Sequence, residues 1–259
     1  MKKTTLLLCL LALALVACKP DPEPEPNNDG QNNDSTETVV KKYLVKEYYA
    51  DLSDEPLKVI EWNDDFTRIT HITTYKNNPY QLDYSFDYFG NDSMRVILSK
   101  PADSWALVLF TNYTCHFDVE GRICFIDYYF NSEYQSSQSY NYDTEGRLIS
   151  IIDEQHNVGT RFEWQADNVC ATYAIPSGEL QNRFDGFTKY FHPECNMPYL
   201  LPDGNSYQLW HLTEPLWHNW YNEFPDMQVE CDEDGFVTHS FRINEQGERY
   251  ADIYYVYSD

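Results

Sequence analysis

From Val39 onward the chain reads as short stretches in which apolar and polar residues alternate, separated by clusters of Asn, Asp and Gly. Period-two alternation rich in Tyr, Phe, Ile and Val is the pattern of strands with one face covered. One turn recurs between them: an apolar residue, Asp or Asn, two polar residues, Gly, one more residue, then usually an apolar one. It reads Phe117-Asp118-Val119-Glu120-Gly121-Arg122-Ile123 and Tyr142-Asp143-Thr144-Glu145-Gly146-Arg147-Leu148. It returns as Cys231-Asp232-Glu233-Asp234-Gly235-Phe236-Val237, and more weakly as Ile243-Asn244-Glu245-Gln246-Gly247-Glu248-Arg249. Looser versions surround Trp62-Asn63, Phe89-Gly90 and Trp164-Gln165. Repetition of this kind decides the fold before anything else does.

The turn has a physical grammar. Asp favours the first position of a type I turn because its carboxylate caps nearby amides, and Gly favours the fourth because it takes positive φ freely. A type I turn closed by a left-handed Gly is the three-residue hairpin with a bulge. That register sets Phe117 against Ile123 and Tyr142 against Leu148, whereas the tighter one sets them against Arg122 and Arg147. A one-residue slip exchanges the faces of a strand, so apolar pairing selects the bulged form. Cys115 and Cys124 oppose each other only in the rejected register, and no disulfide between them is expected.

Applied along the chain, this grammar predicts an all-β fold: an antiparallel meander of about a dozen strands over residues 41–259. The C-terminal part is a meander of about Met227–Cys231, Phe236–Ile243 and Glu248–Tyr257. Strict alternation there places Val229, Cys231, Val237, His239, Phe241 and Ile243 on one face. A dozen strands are too many for a flat sheet, so the sheet is expected to be strongly curved or closed into a barrel-like form. One stretch departs from the pattern, the Pro- and Trp-rich insertion at about 175–226. Thr213 suits an N-cap and Pro215 a first turn, predicting a short helix near 213–222. Trp210, Trp217, Trp220 and Tyr221 then offer an aromatic platform for a sugar or peptide. The alternative is that these rings cover one opening of the sheet.

Upstream, Lys2 and Lys3, the apolar run Leu6 to Val16 and the small residues before Cys18 read as a leader over residues 1–17. The run is well short of the ~20 residues that span a bilayer. Leu15-Val16-Ala17-Cys18 reads as a lipobox, with Cys18 the lipidated residue. Residues 18–40 alternate Pro with acids and hold no residue able to build a core until Val39, the composition of a disordered tether.

The formal net charge of -24 excludes nucleic acid, whose phosphates need clustered Lys and Arg, and a polybasic membrane contact. No cofactor or metal is expected. His192, Glu194, Cys195, His211 and His218 lack ligand spacing, and the acidic turns lack a calcium-loop series. Ser177-Gly178 has no nucleophile-elbow context, and no Gly-rich phosphate loop occurs.

The Tyr142-Asp143-x-x-Gly146-Arg147-Leu148 turn resembles the YD repeats of RHS-type proteins. Together with the lipobox, the acidic tether and the stretch from Asn196-Met197-Pro198-Tyr199 to Phe224-Pro225, the chain resembles a family of bacterial lipoproteins of unknown function with a porin-like fold. The resemblance implies a curved antiparallel sheet or barrel and supplies no activity. Its few, irregular repeats do not imply an RHS shell. These readings point to a protein of the outer membrane, lipid-anchored through Cys18, with the surface or periplasmic side left open. The expected role is a non-catalytic module binding a glycan, peptide or envelope partner. The alternatives are a hydrolase of an envelope or dietary polymer and a purely structural component.

Overall fold

Each recurring turn passes the chain from one strand to its neighbour, and the result is a single long meander. The structure is a computed structural model that describes residues 40–49, 55–184, 186–202, 211–213, 215–221 and 227–258. β1 (Leu44–Tyr49), β2 (Lys58–Trp62), β3 (Ile69–Thr74), β4 (Leu82–Phe89), β5 (Ser93–Ser99) and β6 (Asn112–Phe117) open it. β7 (Ile123–Phe130), β8 (Glu133–Tyr142), β9 (Leu148–Asp153), β10 (Val158–Gln165), β11 (Asn168–Ile175) and β12 (Leu180–Arg183) continue it. Four short strands follow outside the main sheet: β13 (Phe187–Phe191) pairs with β16 (Asn219–Tyr221), and β14 (Leu201–Pro202) with β15 (His211–Thr213). β17 (Met227–Cys231), β18 (Val237–Ile243) and β19 (Arg249–Tyr257) then rejoin the sheet beside β1. The order is β12 to β1 in unbroken sequence, then β19, β18 and β17, 15 strands in all.

The expected turn geometry is present. Asp118 Oδ1 accepts from the amides of Glu120 (3.0 Å) and Arg122 (2.9 Å), and Gly121 has φ of 79°. Asp143 and Gly146, Asp232 and Gly235, and Asn244 and Gly247 repeat the arrangement. Phe117 pairs with Ile123 and Tyr142 with Leu148. Cys115 lies opposite Ile126, and both Cys115 and Cys124 are free thiols.

Two expectations are corrected. The sheet neither closes nor curls into a barrel: it is an open ladder ending at β12 and β17. Closure requires the outermost strands to pair, and β12 is only four residues long, exposed throughout and polar after Leu180, which blunts an edge against further pairing. The segment after β12 touches turns near both edges: the His218 amide donates to Asp167 O between β10 and β11, and the Phe191 amide, at the end of β13, to Gly235 O between β17 and β18. The second correction concerns the helix near 213–222, which is absent from the described residues. Thr213 caps nothing: it ends β15, and its Oγ1 donates to Tyr199 O and accepts from the Leu201 amide. Leu216 O accepts from the Val169 amide, and the Trp217 indole donates to Val169 O. Pairing with β11 therefore overrides local helix chemistry.

Strict alternation fails for one repeated reason. In five strands leaving the turn-rich end, the second residue is an unpaired extra one: Val45, Thr70, Cys124, Ile149 and Thr238. A bulge of this kind puts the first and fourth residues on the same face. Hence Ile69 with Ile72, Ile123 with Ile126, and Leu148 with Ile151 are all buried. In β18 the corresponding pair is Val237 with Ser240, so the uniform odd-numbered face expected for the C-terminal meander is not kept.

A second device accompanies the turns. The aromatic residue ending the incoming strand donates to the carbonyl at the start of the preceding strand. The pairs are Trp62 to Leu44 O, Tyr88 to Ile69 O, Tyr142 to Ile123 O, Trp164 to Leu148 O and Tyr257 to Val237 O, at 2.6 to 3.0 Å. In the β5–β6 pair the position is Phe117, which has no polar hydrogen. This hydrogen bond explains why Tyr or Trp recurs before the turn. Tyr142→Phe is expected to cost about 0.5–1.5 kcal/mol, read as a lower urea midpoint with unchanged slope.

The core lies on one face of the sheet, against the irregular segment. Ile60, Ile72, Met94, Tyr113, Ile126 and Ile151 from the sheet cluster with Met197, Leu200, Leu201, Leu212, Leu216 and Trp217.

Candidate functional site

Of the residues nominated from sequence, Trp217 and Trp220 are each only 8% exposed. Trp217 is fixed to Val169 and packs edge-on to Phe184. Trp220 stacks on His192 at 5.6 Å and meets Tyr255. Neither offers a ring face to solvent. Trp210 and the side chain of Tyr221 lie outside the described residues, as do Cys18 and the segment before Val40. Among the described residues, buried Trp220 Nε1 meets no hydrogen-bond partner.

Beside Trp220 the bulge at Val45 turns Glu47 toward the core face, in register with Lys58 and Tyr255. Lys58 Nζ is 2.8 Å from Glu194 Oε1 and 3.5 Å from Glu47 Oε2. Burial pushes the Glu47 carboxyl up, and the Lys58 charge opposes that shift. Two acids thus share one ammonium that stands between them. Hydrolytic geometry is no clearer elsewhere. Ser137 Oγ donates to Asp127 Oδ1 and His116 Nε2 lies against Asp127 Oδ2, so the imidazole meets the carboxylate and not the hydroxyl, unlike the order of a Ser-His-Asp triad. Among the described residues, no three potential metal ligands converge.

The exposed aromatic residues have a different address. All the Asp-rich turns but the Asn244–Gly247 turn lie at one end of the sheet, where both Leu44 and Tyr257 also sit. Among the described residues, ten of the fourteen exposed large hydrophobic residues lie at the other end, including Tyr49, Tyr75, Tyr80, Trp105, Leu107 and Tyr134. The most exposed of these ten are Trp105, at 73%, and Leu107, at 67%.

Their loop, residues 100–111, is the longest connection between neighbouring strands and is firmly held. Lys100 Nζ donates to the carbonyls of Ser104 (3.1 Å) and Ala106 (2.6 Å). Ser104 is buried, its Oγ lying 2.9 Å from Gln81 O and 3.1 Å from Pro79 O. The Trp105 amide donates to Pro79 O, and buried Phe110 packs on Tyr128 at 4.7 Å. Ser104 and Ala106 therefore point inward while Trp105 and Leu107 point outward. Trp105 meets Tyr80 nearly perpendicularly, with centroids 6.3 Å apart and planes at 86°. The two rings form an L-shaped corner on a loop whose backbone is already held by folding, so little loop entropy is lost on binding.

The chain matches no protein-family model and no curated protein.

The corner therefore rests on its own geometry. Sequence reasoning nominated the Trp-rich insertion, beside the alternative that its rings cover the sheet, and passed over Trp105. The signals for it were present: a long loop of the kind that usually carries function, and the outward-inward pattern of Ser104-Trp105-Ala106-Leu107. Burial separates the two groups of rings, and counting Trp residues does not reveal it.

Proposed function

We propose that this is a lipid-anchored envelope protein whose aromatic rim, centred on the Trp105–Tyr80 corner, binds an uncharged polysaccharide. The observation that carries the reading is that corner: two exposed rings on a held loop with Leu107 beside them. Sugar rings present flat C–H faces that stack on aromatic rings, and a long polymer suits a rim extending over several strands. Charge selects the neutral class. The rim carries Asp103, Glu133, Glu154 and Glu179 against the exposed Lys76, while the Lys100 ammonium is occupied by carbonyls, so a polyanion meets net repulsion there.

β1 begins at Leu44, at the turn-rich end, and strands of six to ten residues at about 3.3 Å per residue put the rim roughly 20–30 Å from that start. Cys18→Ala is expected to move the protein from the detergent-extracted membrane fraction to the soluble fraction. Persistence of the variant in the membrane would remove the anchor from this reading.

Affinity electrophoresis against neutral and acidic polysaccharides tests the binding. Retardation by a neutral polymer, with no release of reducing ends, supports the proposal; no retardation by any neutral polymer ends it. The hydrolase alternative is favoured only by the Glu47–Lys58–Glu194 group, where Lys58 occupies the place a scissile bond would need. Release of reducing ends that depends on Glu194 would reverse this ranking.

A further inference from the structure

At the turn-rich end, where the Gly121 and Gly146 turns meet the irregular segment, the surface opens into a hollow of about 290 Å³. Its floor is Ile123, Leu148, Met197, Leu200 and Leu216, all buried. The rings of Tyr142, Trp164 and Tyr199 stand around it. An apolar cavity of about 150 Å³ stays dry and takes up benzene, so this one has room for a substituted ring.

The polar groups of the hollow are almost all engaged inside the protein. Tyr142 donates to Ile123 O at 2.7 Å, and the Trp164 indole to Leu148 O at 2.7 Å. Arg147 binds Asp143 through Nε and Nη2, and Glu145 through Nη1. Arg122 binds Asp118 through Nε and Nη2, and Nη2 also meets Glu120. That leaves Arg122 Nη1, whose two hydrogens meet no acceptor among the described residues. The guanidinium carbon lies 4.5 Å from the Tyr142 ring centroid, and Nη1 stands beside Gly146, 3.3 Å from where a Cβ would be. Stacking and the two acids hold this one donor in the wall of an apolar hollow.

Charge and polarity set the ligand class. Each arginine already answers two carboxylates, so an anion entering here meets net negative charge, and a cation meets the guanidinium groups of the wall. The Cys195 thiol, also in the wall, is pushed up to about 11 by burial and adds no charge at neutral pH. A sugar ring would leave most of its hydroxyls without partners on this floor. We propose that the hollow binds a small uncharged aromatic compound carrying one oxygen acceptor, such as an aryl ketone. The ring rests on Leu148, Met197 and Leu216, and the oxygen accepts from Arg122 Nη1. The site is independent of the neutral-polymer rim, at the other end of the sheet, and differs in ligand class.

NMR titration of the purified protein, carrying 13C in its methionine methyls, tests the assignment with acetophenone, α-methylstyrene and benzoate. α-Methylstyrene has the shape of acetophenone with a methylene in place of the oxygen. Acetophenone is expected to shift the Met197 methyl through its ring current and to leave those of Met94 and Met227 in place. It should bind about tenfold or more tightly than α-methylstyrene, the worth of one hydrogen bond from a charged donor. Benzoate should bind more weakly than acetophenone. In Arg122→Met the preference for acetophenone should vanish while the hydrocarbon binds as before. No shift at Met197, equal shifts at all three methyls, equal affinities of acetophenone and α-methylstyrene, tighter binding of benzoate, or an unchanged preference in Arg122→Met would each overturn the proposal. The first four are read on the unaltered protein and stand whether or not the variant folds.

Discussion

Lys58→Met is expected to destabilise the protein by about 3 kcal/mol or more, because removing one partner of a buried ion pair leaves an uncompensated charge at a cost of roughly 3–5 kcal/mol. Here two carboxylates, Glu47 and Glu194, depend on the same ammonium. The group keeps 10 to 19% side-chain exposure, which places the cost toward the lower end of that range. Against a typical total of about 5–15 kcal/mol, the loss should be plain in a denaturant curve.

The pH dependence of the variant carries a definite sign. Burial raises the Glu47 carboxyl pKa in the folded state, so between its ordinary and raised values the folded protein binds more protons than the unfolded chain. Stability from this group is therefore present below the ordinary carboxylate pKa and is lost as pH rises through the folded value. Removing Lys58 takes away the charge that opposes the shift and widens the window. Lys58→Met should recover part of its deficit on acidification from neutral pH toward 5. Adding Glu47→Gln and Glu194→Gln should restore stability at pH 7 without acid. A triple variant as unstable as Lys58→Met would show that the deficit does not come from uncompensated carboxylates.

The turns were legible because their chemistry is local. Asp118 and Gly121 need nothing beyond five residues to set a type I turn with a left-handed glycine, so the register of Phe117 on Ile123 follows from apolar pairing alone. The bulges at Thr70, Cys124 and Ile149 were not legible. Their mark in sequence is an apolar residue followed three positions later by another, Ile69 and Ile72 or Ile123 and Ile126, a spacing that equally suits a helix. The same ambiguity misled the reading of Thr213 to Tyr221, where Thr, Pro and the Trp spacing satisfy helix rules. Pairing with Val169 on β11, distant in sequence, decides otherwise. Closure of the sheet was a global property resting on the weakest strand, and Leu180–Arg183 carries no periodic signal that could have announced an edge. Lys58 and Glu47 also read as ordinary surface charges; only the bulge at Val45 turns one of them inward.

Trp105→Ala is expected to weaken binding of a neutral polysaccharide by about 2 kcal/mol or more, roughly 30-fold, the loss typical of an exposed aromatic that anchors an interface. Its folding stability should barely change, because the ring is 73% exposed and the loop is held by Lys100, Ser104 and Phe110. Tyr80→Ala should give a smaller loss, about tenfold, since it removes one wall of the corner and leaves the other. Phe89 is the informative control. It is 50% exposed but sits at the turn-rich end beneath Arg95, so Phe89→Ala should leave polymer binding unchanged if position on the rim matters rather than exposed aromatic area. A uniform loss across all three variants would indicate nonspecific adhesion of aromatic surface to the gel matrix. Unchanged retardation of Trp105→Ala would remove the rim from the account and leave the domain as a structural component of the envelope.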